Sequence, residues 1–330
     1  MNIKKFSAYL EEFLTLKRAL AEADPHYDAF DRRSLRHKEK LLRNFLAFWH
    51  HNGRPWPICA AHVLDWLAAE SHPQHPYRGQ HCFYTTLRAF LQQVRAFEPE
   101  TEVPEQIFKF RRPRRTPYIF SEREIVLLMR VARRLRLFET FRPLTLRTMI
   151  GLLASTGMRV GEVLRLEIRD ANLAANSPYL LIHETKFGKS RNVALHPTTA
   201  NFLRRYLVKR GEVLANRIAK TFFTNISGKP LGYASTRSTF RRLLKRAGIQ
   251  SVLGQRAPSL HSFRHTFTVT RLTRWHLERR NVQELLPHLS VYLGHVGPEN
   301  TYWYMTATPE LLQTAAVLFD RPQSQGAAKP

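Results

Sequence analysis

The stretch LGHVGPENTYWYM, which runs from Leu293 to Met305, carries a histidine and then two tyrosines on either side of a tryptophan. One interpretation of Tyr302, Trp303 and Tyr304 is an aromatic helix that packs into a core. The other is that one tyrosine is a nucleophile, and Tyr304 follows His295 by nine residues. Residues elsewhere in the chain are needed to choose between the two.

The charge balance of the chain points to a polyanionic partner. Among 330 residues, lysine and arginine total 52 and aspartate and glutamate total 26, so the net charge is +26. Nucleic acid is the first candidate for such a partner, and a membrane surface is the second. No apolar run approaches the ~20 residues of a membrane-spanning helix, so we expect no membrane partner. The hydrophobic fraction of 43% is enough for packed cores, and the length allows two domains.

The start of the chain and its cysteines indicate a cytoplasmic protein. The opening MNIKKFSAYLEEF reaches acidic residues too early for a secretory signal. The two cysteines, Cys59 and Cys82, form no C-x-x-C pair. We therefore expect neither a disulfide framework nor a zinc site held by thiolates.

The first hundred residues predict a small helical module that ends at a basic linker. Apolar residues recur at helical spacing in four segments, which are Phe6 to Leu14, Leu41 to Trp49, Val63 to Leu67 and Tyr84 to Val94. The stretch KFRRPRRTP, residues 109–117, follows, and its prolines favour an extended course. This stretch is either a solvated charge run or a linker that lies on phosphates.

The second part of the chain predicts helices around a short hairpin. SERE at residues 121–124 is a capping box, and helical periodicity follows to about Phe138 and again from Pro143 to Ser155. Two strand-like runs, Tyr179–His183 and Asn192–Leu195, enclose a polar stretch that contains Gly188. Helical patterns dominate beyond them.

Three further groups of residues could carry chemistry. In STGMRVGEVLRL, Gly157 ends a helix, and Arg159 and Glu162 are three apart, so in a helix the acid could orient the guanidinium. HETKFGKSR offers two lysines between the strands. In LHSFRHTF, His261 and Arg264 lie one turn apart, with His265 beside them. Each group alone is more often an ion pair or a solvated charge.

Taken in chain order, these groups and the opening stretch resemble the tyrosine recombinase (phage integrase) family from Ser121 to about Phe319. The resemblance implies a mainly α fold with a small β-hairpin or sheet and two domains. Residues 1–108 would form a helical core-binding, DNA-binding domain, 109–117 a basic interdomain linker and 118–320 the catalytic domain. Residues 321–330 are a tail that we expect to be disordered. ENTYWYM further resembles transposon-encoded members of the family.

The resemblance also implies a role for each matched residue. Arg159 and Arg264 match the catalytic arginines, and Lys186 matches the hairpin lysine that acts as general acid. Phe187 departs from the small residue common there, which leaves Lys189 as an alternative. His261 would do acid–base work, His295 would bind the phosphate and Tyr304 would be the nucleophile, with Tyr302 as its alternative. The linker residues expected to contact DNA are Lys109, Arg111, Arg112, Arg114 and Arg115.

These residue types suit nucleophilic attack on a phosphodiester. A pentacoordinate phosphorus gains negative charge, and two guanidiniums present rigid paired donors to phosphate oxygens. We find no Walker A loop, no HExxH and no clustered carboxylates, so we expect no cofactor and no metal.

The expected function is site-specific DNA recombination through a 3′-phosphotyrosyl intermediate, for integration, excision or transposition. The expected partners are double-stranded DNA and further copies in a homotetramer on two DNA sites, or sibling recombinases, at the nucleoid. Alternatives are a type IB topoisomerase-like or resolvase-like enzyme and a DNA-binding relative without catalysis.

Overall fold

The computed structural model of the chain forms two compact units, Met1–Pro113 and Arg114–Pro330. The residues that it describes are 3–23, 29–70, 80–105, 116–135, 141–174, 176–183, 190–215, 217–251, 255–295 and 299–307. Each unit has a hydrophobic core of its own. The expected linker, 109–117, lies outside these ranges except for Thr116 and Pro117, and Thr116 already pairs with Gln255 in the second unit.

The first unit is built from helices, as its apolar spacing predicts. They are α1 (Ile3–Glu22), α2 (Ala29–His51), α3 (Ala60–Ala69) and α4 (Gln80–Phe97). Their apolar stripes meet in an aromatic core, where the ring of Phe6 lies 5.4 Å from those of Trp49 and Phe90. The helical prediction for this part of the chain is confirmed.

The second unit adds further helices. They are α5 (Glu122–Arg133), α6 (Phe141–Thr156), α7 (Val160–Arg165), α8 (Pro197–Leu214), α9 (Tyr233–Arg246), α10 (Ser262–Leu277), α11 (Val282–Leu293) and α12 (Glu299–Ala307). The predicted capping box begins α5: Ser121 Oγ accepts from the N–H of Glu124 at 3.2 Å, and Glu124 accepts from the N–H of Ser121 at 2.8 Å. Both partners satisfy backbone donors that a helix start leaves open.

A three-stranded antiparallel sheet lies in the second unit. Its order is β1 (Ala171–Asn172), β2 (Tyr179–Ile182) and β3 (Arg191–Ala194). The two predicted strands are confirmed within one residue at each end. Tyr179 pairs with Ala194 and Ile182 pairs with Arg191. β1 was not predicted, because two residues are too few to show an alternating pattern.

The centre of the second unit is α6, which is apolar on most of its surface. Its buried apolar side chains are Phe141, Leu146, Met149, Ile150, Leu152 and Leu153. It packs against α5, α8 and α10, so the turn after Thr156 starts from a rigid support. Within the described ranges, no helix has both the length and the apolar character to cross a membrane.

A smaller apolar cluster joins α10, α11 and α12. Its buried members are Val269, Leu272, Val282, Leu286, Leu289, Leu293 and Tyr304. Tyr304 on α12 is therefore packed against its own unit by α10 and α11.

Candidate active site

Arg264 and His261 lie at the start of α10. The prediction that they share one turn is confirmed, because the N–H of Arg264 donates to the carbonyl of His261 at 3.0 Å. Arg264 is almost fully buried, and its guanidinium donates to the carbonyl oxygens of Gly157 at 3.1 Å and Leu293 at 2.8 Å. The guanidinium is thus fixed between the turn after α6 and the end of α11.

The turn after α6 presents Arg159. Gly157 has a φ of +64°, and a Cβ there would lie 2.6 Å from the ring of Phe267, so conformation and space both require glycine. The helix ends at Thr156, as predicted. Arg159 itself is the extended N-cap residue of α7, with φ −71° and ψ 140°, and not a residue inside a helix. The sequence spacing was right, but the helix begins one residue later.

Glu162 holds two arginines together. Its carboxylate accepts from Arg159 Nη1 at 2.9 Å, as predicted, and from Arg191 Nη2 at 2.8 Å. Burial alone would raise the pKa of Glu162, but the hydrogen bonds and charge of Arg191, followed by those of Arg159, hold that pKa below its usual range. The carboxylate is therefore ionised at neutral pH and orients both guanidiniums.

The carboxyl end of α11 receives all three arginines. Arg191 Nε donates to the carbonyl of Tyr292 at 2.8 Å, Arg264 to that of Leu293, and Arg159 Nη2 to that of Gly294 at 2.6 Å. Cations are favourable there because the last carbonyls of a helix lack partners and carry partial negative charge. Among the described residues, three guanidiniums gather at this helix end and the carboxylate of Glu162 pairs with two of them, those of Arg159 and Arg191, so the cluster carries excess positive charge.

Gly294 lets the arginines approach this helix end. It caps α11 in the left-handed region with a φ of +68°, and the N–H of His295 closes the cap on the carbonyl of Ser290 at 2.9 Å. A Cβ at Gly294 would lie 2.9 Å from Arg191 Nη1 and 3.3 Å from Arg159 Nη1. A side chain at this position would thus collide with the arginines, which explains why the Leu-Gly-His stretch has glycine there.

His295 is held by α12. Its Nδ1 lies 2.7 Å from Thr301 Oγ1, which lies 2.7 Å from Ser290 Oγ. Ser290 and Thr301 are buried. This chain of hydrogen bonds ties α12 to α11 and fixes the ring of His295.

Tyr304 meets a histidine to which the sequence assigned no role. Its hydroxyl lies 2.7 Å from Nδ1 of His265, the residue after Arg264. Tyr304 is 3% exposed, whereas Tyr302 is 44% exposed. Trp303 packs beside Tyr304, with ring centroids 5.1 Å apart. The described contacts therefore tie Tyr304, and not Tyr302, to the cluster of histidines and arginines.

The three histidines of this site have lowered pKa values. Desolvation, followed by the charges of Arg264 and Arg159, lowers the pKa of His261 to about 4, even though part of that side chain is exposed. Burial, followed by the charge of His261, lowers the pKa of His265 to about 3. Burial and then the charge of Arg264 lower the pKa of His295 to about 3. All three imidazoles are neutral at pH 7 and can accept hydrogen bonds.

Some predicted residues fall outside the described ranges. Lys186 and Lys189 lie in residues 184–189, and the linker residues Lys109, Arg111, Arg112, Arg114 and Arg115 lie in 106–115. The described part of the site brings together Arg159, His261, Arg264, His295 and Tyr304. Among the described residues, no group of three histidine, cysteine, aspartate or glutamate side chains could hold a metal ion.

Three residues of the site, Arg191, His265 and Thr301, were not predicted. Arg191 had a signal, since it ends the stretch TKFGKSR and directly precedes the predicted strand Asn192–Leu195. His265 was noted only as a neighbour of Arg264. Thr301 stands three residues before Tyr304, which puts both on one helical face.

The chain matches a known family. The model of the phage integrase family covers residues 119–309. A Sinorhizobium fredii protein named integrase/recombinase is 32% identical over 325 residues, which is 96% of this chain and 97% of the relative. The tyrosine recombinase XerD of Staphylococcus saprophyticus is 32% identical over 146 residues, 44% of this chain and 46% of the relative.

Solved structures share the fold at lower identity. The XerH site-specific recombinase bound to its difH substrate aligns with a TM-score of 0.65 at 17% identity, over 87% of this chain and 79% of that one. A lambda integrase tetramer bound to a Holliday junction aligns with a TM-score of 0.61 at 16% identity, over 89% and 78%. Because the family model covers more than half of the chain and the Sinorhizobium relative nearly all of it, this chain belongs to the phage integrase family, the tyrosine recombinases.

Proposed function

We propose that this tyrosine recombinase cuts and rejoins DNA at specific sites through a 3′-phosphotyrosyl intermediate, with Tyr304 as nucleophile. The observation that carries the proposal is the meeting of α10, α11 and α12. His265 contacts the hydroxyl of Tyr304, and the adjacent Arg264 donates to the end of α11, where Arg159 also donates. The proposed nucleophile and two fixed guanidiniums thus contact the same group of helices, which supports the proposal.

The positive cluster suits a phosphate. Arg159 and Arg264 donate to neutral backbone carbonyls, whereas a phosphate would add an opposite charge and an oxygen geometry that matches the paired donors of a guanidinium. Glu162 and the helix end fix the guanidiniums in advance, so little reorganisation is needed as charge develops on phosphorus. We therefore assign both arginines to the phosphate.

The reaction exchanges one phosphoester for another. Oη of Tyr304 bonds to phosphorus while the bond from phosphorus to the 5′ oxygen breaks. We assign acid–base work at the phosphate to His261 and a hydrogen bond to the phosphate to His295. Rejoining is the reverse, in which a 5′ hydroxyl attacks the phosphotyrosine and the tyrosine regains its proton.

The departing 5′ oxygen needs a proton, and we propose Lys186 as its donor, with Lys189 as the alternative. Both lysines belong to the connection between β2 and β3. β3 begins at Arg191, which bonds to Glu162 and to the carbonyl of Tyr292. The anchoring of this strand in the cluster supports a general acid supplied from the connection.

The remaining partners follow from charge and sequence. We propose that residues 1–108 and the basic linker hold double-stranded DNA, with Lys109, Arg111, Arg112, Arg114 and Arg115 on phosphates, and that the chain works at the nucleoid. Neutralising the four arginines should lower the log–log salt slope of DNA binding by about 0.9 for each phosphate that the linker no longer neutralises. An unchanged slope would mean a solvated charge run.

Recombination joins two sites, so we propose a homotetramer on two DNA duplexes, with sibling recombinases as a further possibility. In the segment 309–319, the sequence predicts one apolar helical stripe, formed by Leu311, Leu312, Ala315, Ala316 and Phe319. We propose that this stripe docks into the next subunit, and the alternative is that it folds back on its own domain. Deleting residues 309–330 should then abolish pairing of two DNA sites while single-site binding survives. Normal tetramers of the truncated protein would contradict this role.

The test uses a matched pair of tyrosines. A DNA site is first selected from a random library by binding to the protein. It is then nicked so that the short fragment carrying the new 5′ hydroxyl is lost after cleavage and cannot rejoin. Tyr304→Phe should bind this DNA but form no covalent adduct, since only the hydroxyl is removed. Tyr302→Phe, altered two residues away, should form the adduct normally. The reverse result would move the nucleophile to Tyr302, and an adduct from neither parent nor variants would favour a DNA-binding relative without catalysis.

A further inference from the structure

The side chain that touches the proposed nucleophile is His265. The separation of 2.7 Å between its Nδ1 and the Tyr304 hydroxyl is a good hydrogen-bond length, and both side chains are buried. The ring of His261 lies at right angles to that of His265, with centroids 4.7 Å apart. Within the described contacts, His265 lies between Tyr304 and the rest of the histidine cluster.

The surroundings of His265 favour a neutral ring. The groups that act on it are His261, Arg256, Arg264 and His295, all of which disfavour a second proton, in addition to burial. Arg256 lies in the segment before α10, and its N–H donates to the carbonyl of Thr116 at 3.0 Å. A neutral imidazole with its proton on Nε2 leaves Nδ1 as an acceptor for the hydroxyl.

We propose that His265 is a further catalytic residue, which accepts the proton of the Tyr304 hydroxyl through Nδ1 as the tyrosine oxygen attacks the phosphate. This inference rests on the proposed function, because it requires Tyr304 to be the nucleophile. It assigns the first proton transfer to His265 and leaves His261, at the exposed start of α10, to exchange protons around the phosphate.

The transfer balances without any added reactant. The proton moves from Oη of Tyr304 to Nδ1 of His265, the new bond joins Oη to phosphorus, and the 5′ oxygen leaves with a proton from the general acid. The imidazole gains one positive charge and the tyrosine oxygen gains one negative charge. As the new bond forms, this negative charge passes to the phosphate. In the rejoining step His265 returns the proton.

Two substitutions at His265 distinguish a residue that takes a proton from one that only forms a hydrogen bond with the hydroxyl. His265→Asn places an amide oxygen near the position of Nδ1, so it can accept a hydrogen bond but cannot take a proton. His265→Ala removes both functions. A general base contributes about 100-fold to 10,000-fold, so we expect His265→Asn to form the covalent adduct at least 100-fold more slowly while binding DNA as tightly as the parent.

The dependence of the cleavage rate on pH distinguishes a general base from a residue that only packs against Tyr304. The parent should cleave at a nearly constant rate from pH 6 to 8, because the pKa of His265 is lowered to about 3. His265→Asn depends on spontaneous ionisation of a tyrosine with an ordinary pKa of about 10, so its rate should rise about tenfold per pH unit. A variant with the parental rate and a flat profile would overturn the proposal.

A modified substrate distinguishes proton transfer to the leaving 5′ oxygen from proton transfer away from the Tyr304 hydroxyl. When sulfur replaces the bridging 5′ oxygen, the leaving group needs no proton. Lys186→Ala should recover cleavage on this DNA, whereas His265→Asn should remain slow. Recovery of His265→Asn would place His265 at the leaving group and refute its role at Tyr304.

The tautomer of His265 gives an independent test in the unaltered protein. Nitrogen-15 spectra should show the ring of His265 with its proton on Nε2, and a proton on Nδ1 would overturn the proposal even if the variants fail to fold. Failure of the proposed function looks different, since Tyr304→Phe would then still form the adduct. If Tyr304→Phe forms no adduct while His265→Asn forms it at the parental rate, this inference alone is rejected.

Discussion

Replacing Glu162 by glutamine would remove the charge that holds two arginines together. The Glu162 side chain is 4% exposed and accepts from Arg191 at 2.8 Å and from Arg159 at 2.9 Å. Breaking a buried ion pair by removing one partner costs about 3–5 kcal/mol. Arg159 is 36% exposed, so solvent weakens its ion pair with Glu162. Arg191 is only 9% exposed, so its ion pair accounts for the larger part of the lost stability. We expect Glu162→Gln to lower the free energy of unfolding of the second unit by about 3 kcal/mol.

The measurement must report on the second unit alone. Hydrogen exchange at increasing denaturant, read from peptides of α7 and β3, gives the free energy of opening for the elements that carry Arg159 and Arg191. Glu212→Gln is the matched control, because Glu212 pairs with Lys209 at 2.5 Å on the exposed surface of α8. That change should cost less than about 1 kcal/mol.

The effect of Glu162 should depend on pH in one direction. Its pKa is lowered in the folded state, so the stabilisation is complete above the unfolded value of about 4.3 and is lost as the pH falls through the folded value. The gap between the parent and Glu162→Gln should therefore close in acid. A loss below about 1 kcal/mol at pH 7, or a gap that does not change with pH, would refute the bridging role of this carboxylate.

Two further results are expected. Thr301→Val keeps the shape of a buried side chain but removes the hydroxyl between His295 and Ser290, so stability should fall by about 1–3 kcal/mol and adduct formation should slow; an unchanged rate would mean that His295 needs no support from α12. At pH 5.5 an ordinary histidine, with a pKa of about 6.5, is about nine-tenths protonated, whereas His261, His265 and His295 should remain neutral in nitrogen-15 spectra. Because the folded values are lower, these histidines make stability fall as the pH drops below about 6.5, and protonated rings at pH 5.5 would contradict the burial of this site.

Much of the fold could be predicted from the sequence because its signals are local. Apolar spacing gave α1 to α4, the capping box gave the start of α5, and alternation gave β2 and β3. Gly157 was recognised as a helix end, since glycine readily adopts the positive φ found there. β1 escaped detection because its pairing with β2 depends on the fold and not on its two residues.

The sequence predicted which residues form the site more completely than it predicted which of them contact one another. Sequence spacing can place Arg159 near Glu162, three residues apart, but it cannot reveal Arg191, which reaches Glu162 from 29 residues away. His265 contacts Tyr304 across 39 residues of chain. The first contact arises only when β3 packs beside α7, and the second only when α10 and α12 pack on one another. The resemblance to a family named the motif residues and left their supporting partners unassigned.

The most direct test of the central claim is to identify the residue that carries DNA after cleavage. The parent protein is reacted with the nicked site, the DNA is digested to a short remnant, and the modified peptide is sequenced by mass spectrometry. The remnant should be attached to Tyr304 through a 3′ phosphate, with Tyr302 unmodified in the same peptide. A remnant on Tyr302 or on any other residue, or one attached through a 5′ phosphate, would contradict the assignment of Tyr304 as nucleophile.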